Sequence, residues 1–176
     1  MMEKFVNFID RLSNSFGVIA AILVMIGLTL ILVEVVIRGT FGGTLYITLE
    51  YVRYITSAVT FLALGYTLKE KGHIRVNFLH ERLTDRQRNL LNMYAFLVGF
   101  IVASLLTITS FGFFYGHLLS GSTAYTLSQT PMAIPTFFLP VGLLIFTLQF
   151  VAEFFRSIIL LKTGQTSEVE SSALGR

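Results

Sequence analysis

The sequence predicts an all-α membrane protein with four transmembrane helices, and three observations carry that reading. The 176-residue chain is 54% apolar and only 13% charged, where an average soluble domain is about 45–50% apolar and about 25% charged. Its mean hydropathy of +0.74 and its 17 Phe leave too little polar material to coat a water-soluble globule. Apolar runs long enough to cross a bilayer, about 20 residues at about 1.5 Å each, recur along the chain. A soluble enzyme is excluded on composition. The lack of Cys removes disulfides, thiolate metal sites and cysteine nucleophiles. The net charge of +3 bears on the orientation of spans, since Lys and Arg decide which ends stay inside.

The first span is expected over 16–37, broken only by Glu34 and closed by Arg38 and a Gly-rich turn, Gly39-Thr40-Phe41-Gly42-Gly43. The second is expected over 45–68, with Glu50 and Arg53 in its opening turns and Lys69-Glu70-Lys71-Gly72 behind it. From Asn89 through Ala152 there is no Asp, Glu, Lys or Arg, which is too long for one crossing. The segment Gly116 to Pro135 collects the Gly, Ser, Thr, Gln and Pro of a loop. It divides the run into a third span, 90–115, and a fourth, 136–161. Pro140 lies inside the fourth, where it removes a backbone hydrogen bond and predicts a kink. The leader, 1–15, places Phe5, Phe8, Ile9 and Leu12 on one helical face and predicts a short interfacial amphipathic helix along the membrane surface. Thr84-Asp85-Arg86-Gln87 fits a capping box opening the third span, and the tail, 162–176, is expected to be disordered.

Lys4 and Arg11 precede the first span. Lys69, Lys71, Arg75, Arg82, Arg86 and Arg88 lie around the connection between the second and third, and Arg156, Lys162 and Arg176 come at the end. All fall on one side, so the positive-inside rule predicts an N-in, C-in topology. The first apolar run is too long for the core of a cleaved signal peptide.

Few polar residues suggest function. Glu50 and Arg53, at i,i+3, are expected to meet on one helix face, either as an interfacial pair or as a contact with a partner subunit. Glu34 has Arg38 at i,i+4, and Glu153 and Arg156 repeat the i,i+3 spacing near the end of the fourth span. His73 and His80 fall on one side and His117 on the other, which argues against haem or metal ligation between facing helices. Gly99, Ser104, Thr107, Thr109 and Ser110 in the third span suit close helix packing in lipid. No phosphate loop, metal-spaced cluster or nucleophile with a base is present in the sequence, so no catalytic residue is named. No internal repeat relates the halves, which disfavours a self-contained secondary transporter.

Read together, Leu49-Glu50-Tyr51-Val52-Arg53-Tyr54, Gly65 and Lys71-Gly72-His73-Ile74-Arg75-Val76 resemble the signature of the DctQ-type small permease subunit of tripartite ATP-independent periplasmic (TRAP) transporters. Arg38, Gln129-Thr130-Pro131-Met132-Ala133-Ile134-Pro135 and Leu139-Pro140-Val141-Gly142 agree with it, and the resemblance runs from about residue 15 to 160. One departure is the absence of any Trp, since family members often carry one just before the acidic residue matching Glu50; Tyr46 is the nearby aromatic.

The resemblance implies a non-enzymatic accessory subunit in a bacterial inner (cytoplasmic) membrane, serving uptake of an organic acid. Its partners would be a large DctM-type permease subunit, a periplasmic solute-binding protein and membrane lipids, with no nucleic acid. Sodium would be the coupling ion, held by the large subunit, and this chain would bind no cofactor. Arg38, Glu50, Arg53, His73 and Arg75 would serve the subunit interface or the structure, and Lys69, Lys71, Arg82, Arg86 and Arg88 would meet lipid headgroups. The rival readings are a haem- or quinone-associated membrane enzyme subunit and a small homo-oligomeric channel or exporter.

Overall fold

Each apolar run becomes a helix. The computed structural model describes residues 2–70 and 85–163, and in them α1 is Met2–Phe41, α2 Thr48–Lys69, α3 Asp85–Ser120 and α4 Ala133–Thr163. The described residues contain no strand, only an isolated bridge between Thr123 and Pro131. Three helices are long and apolar enough to cross a membrane, over Glu3–Phe41, Met93–Ser120 and Ala133–Ile159. α2, 22 residues long and carrying Glu50, Arg53 and Lys69, is not among them. The expected capping box at Thr84, His73, Arg75 and the tail beyond 163 lie outside the described residues.

α4 is the hub. It packs against α1, α2 and α3, while α1 and α2 also pack on each other, so three helices form a triangle and, among the described residues, α3 packs chiefly against α4. Small residues set the closest approach, as lipid-embedded helices require. A Cβ on Gly142 would collide with the backbone carbonyl of Phe61, and one on Gly65 would sit 2.8 Å from the Ile145 side chain. α2 and α4 therefore meet nearly backbone to backbone. Between α3 and α4 the Thr107 and Thr147 hydroxyls lie 3.0 Å apart, each also bonded to a carbonyl one turn back.

The leader is not a separate surface helix. Residues 2–15 are the first turns of α1, a single helix of 40 residues and about 60 Å. Apart from Ile9, its buried positions fall at Val6, Ser13, Ala20, Gly27 and Glu34, a seven-residue spacing that keeps one seam against a neighbour. Val6 and Ile9 pack on Ala152, Leu148 and Phe155 of α4. Phe5 and Phe8, expected to share that face, are exposed. Nothing breaks the helix at Ser13-Asn14-Ser15, because Ser15 Oγ bonds back to the Arg11 carbonyl (3.1 Å) and Ser13 is drawn into the interface.

The loop expected over Gly116–Pro135 is shorter, 121–132. α3 continues through Gly116 and His117 to Ser120, and Pro135 falls in the first turn of α4, where its missing N–H costs nothing. α4 runs unbroken through the fully buried Pro140.

Candidate functional site

The polar side chains gather in three knots. At the C-terminal end of α1, Glu34 is 7% exposed and accepts hydrogen bonds from Arg38 Nη2 (2.8 Å), Thr44 Oγ1 (2.8 Å), the Leu45 amide (2.9 Å) and Thr48 Oγ1 (3.2 Å). The expected Glu34–Arg38 pair is present. It also does something the spacing does not reveal: one carboxylate satisfies the connection that turns α1 into α2.

The second knot corrects an expectation. Glu50 does not pair with Arg53. It accepts from Tyr54 Oη (2.8 Å), one turn on, and from Ser128 Oγ (2.7 Å), and Ser128 lies 2.8 Å from Thr130 Oγ1 and 3.2 Å from Thr126 Oγ1. Glu50 thus holds the loop between α3 and α4 onto α2. That loop is a small hairpin, closed by Ala124 N to Thr130 O and Met132 N to Ser122 O (both 2.9 Å), with Gln129 at φ 47° in its turn. Hydroxyl donors from a loop outcompete Arg53 because they are delivered where Glu50 is buried. Arg53 is on the exposed side of α2 and has no ion pair or hydrogen bond among the described residues.

The third knot lies at the opposite end, between α1 and α4. Ser13 Oγ donates to Gln149 Oε1 (2.7 Å), Gln149 Nε2 donates to Asp10 Oδ1 (2.9 Å), and Arg156 reaches both Asp10 and Glu153. Ser13 and Gln149 are fully buried and Glu153 is 3% exposed. The Glu153–Arg156 pair read from the sequence exists, yet it faces α1. Asp10 and Gln149 were missed. The available signal was Gln149, Glu153 and Arg156 at i, i+4 and i+7, one polar stripe on an otherwise apolar helix. Lys69, expected at headgroups, donates to Asn14 Oδ1 (2.7 Å) and Glu70 (3.2 Å), tying α2 to α1.

His117 Nδ1 lies 2.7 Å from Ser122 Oγ, and its ring meets Phe113 edge-on at 4.6 Å. Lys71 and Arg82 lie outside the described residues, as do the side chains of Arg86 and Arg88. Among the described residues no three His, Asp or Glu are grouped to hold a metal ion.

Two features face outward. A groove of about 510 Å³ runs between α1 and α2, lined by Ile31, Val35, Leu49 and Val52 together with Glu34 and Arg38. The flanks of α1 and α3 are exposed and apolar along their length, including Ile22, Met25, Leu32, Val36, Leu105 and Ile108. Such flanks need lipid or another protein against them.

No curated protein matches the chain. The family model described as the DctQ component of tripartite ATP-independent periplasmic transporters matches residues 25–160. That stretch holds the Glu34 and Glu50 knots, the groove and most of α4, and by it the chain belongs to the DctQ family, the small membrane subunit of TRAP transporters.

Proposed function

We propose that this chain braces the large permease subunit of a sodium-coupled importer of organic acids in a bacterial inner membrane and helps dock the periplasmic binding protein. The observation that carries the reading is where the buried charge goes. Glu34, Glu50 and Glu153 are each bound by donors of the chain itself, which spends them on fixing helices. The partner is met instead by apolar surface, and the exposed flanks of α1 and α3 offer it. Sodium and the solute would be handled by the large subunit.

In this reading all four helices cross the membrane and both termini are cytoplasmic, following the placement of Lys and Arg. α2 crosses because its charged residues lie near its ends and its neighbours α1 and α4 shield its middle. The loop 121–132 then stands on the periplasmic side, where Tyr125 and Leu127 are exposed and can contribute to binding-protein docking. Arg53 serves the subunit contact or lipid, Arg38 and Glu50 the structure, and His73 and Arg75 the cytoplasmic side.

Co-expression with the neighbouring large permease, followed by affinity capture through this chain, is the test. A stable complex, with uptake lost when either chain is deleted, is expected. A stable monomer, no complex, and solute flux through liposomes holding this chain alone would overturn the reading.

A further inference from the structure

Only four charged residues occur between residues 12 and 68: Glu34, Arg38, Glu50 and Arg53. Glu50 is turned toward the loop 121–132, which leaves Glu34 and Arg38 in the wall of the groove between α1 and α2 and Arg53 next in sequence to it. Arg38 spends one nitrogen on Glu34 and Thr44, and its side chain remains 61% exposed. Arg53 follows Val52 and lies one turn after Leu49, two residues of the groove wall. Its Cα is about 7–8 Å along the axis from Thr48, at 1.5 Å per residue. Helical side chains lean toward the helix N-terminus, which for α2 is the end where Arg38 sits. An unpaired guanidinium on the exposed face of a membrane helix requires an anionic partner and reaches toward the interface to find it.

We propose that this groove binds one phospholipid, with an acyl chain against Ile31, Val35, Leu49 and Val52 and its phosphodiester held by Arg38 and Arg53. The excess positive charge selects an anion, and a planar guanidinium suits phosphate oxygens. The apolar wall, continuous with the exposed flank of α1, selects a lipid over a soluble anion. A tightly held lipid at this position would fill a recess between the paired helices that their own side chains leave open.

The test uses the full chain, purified in a non-ionic detergent and titrated with a short-chain phosphatidylglycerol, with bound lipid counted by native mass spectrometry. Wild type is expected to retain one lipid. R53Q, whose side chain has no partner among the described residues, and V52F, which fills the groove and leaves both charges, are each expected to weaken retention about tenfold or more. L105F, on the exposed flank of α3, is expected to bind as wild type. Thermal unfolding of each variant verifies that the fold is kept. Equal binding by R53Q and V52F would overturn the proposal. Displacement of the lipid by inorganic phosphate would mark a site for free anions and overturn it too, and displacement by the large permease subunit would make the groove a protein contact and likewise overturn it. Co-purification of that subunit is scored separately in the same variants, so loss of the lipid site and loss of the scaffolding role are distinguishable.

Discussion

Glu34 accepts four hydrogen bonds at the turn between α1 and α2, so its loss and that of its ion-pair partner are unequal. E34Q places an amide NH2 against donors that need an acceptor and is expected to cost about 1–3 kcal/mol. R38Q removes one of the four donors from a largely solvent-facing side chain, and exposed ion pairs contribute about 0–1 kcal/mol. Thermal unfolding in detergent should rank E34Q clearly below R38Q; the reverse order would mean that the Arg38 charge, rather than the convergence of donors, holds the turn. The pairing of these two residues was readable from their spacing because both lie on one helix. Glu50 was not, since its donor Ser128 is 78 positions away and no local rule reaches that far.

The seam of α1 is the corresponding case for elements. Val6, Ser13, Ala20, Gly27 and Glu34 repeat every seven residues in plain view, yet the repeat is hard to recognise. In lipid the outward positions are as apolar as the inward ones, and size rather than polarity separates them. A20F, at a 3% exposed position, is therefore expected to destabilise the protein by about 1–3 kcal/mol, while V24F, on the exposed flank, should change it by no more than about 0.5 kcal/mol. The same contrast explains the misplaced leader. Phe5, Phe8 and Ile9 read as a face for the membrane surface, but the segment is held by what sequence periodicity does not weigh, Ser13 and Asp10 bonded across to Gln149 of α4. Q149L removes both bonds. Hydrogen exchange of residues 2–12 should accelerate markedly, with the amides of α2 unchanged; uniform acceleration would show that the knot secures the whole assembly rather than one end of α1.

On the scale of the molecule, the arrangement has a firm half and a dependent half. α1, α2 and α4 support one another, whereas among the described residues α3 rests chiefly on α4. The absence of native Cys gives a clean background for orientation. T44C and Y125C are expected to react with a membrane-impermeant maleimide added outside intact cells, and N7C only after lysis; labelling of N7C from outside would invert the topology. A further consequence follows from the length of α1. Its uncharged stretch, residues 12–33, covers about 33 Å and matches the hydrocarbon of a bilayer; in the proposed topology the ten residues before it would stand clear as a staff about 15 Å tall, lashed to α4. In a thinner or thicker membrane the helix is expected to tilt, or the bilayer to adjust its local thickness, around that fixed stretch.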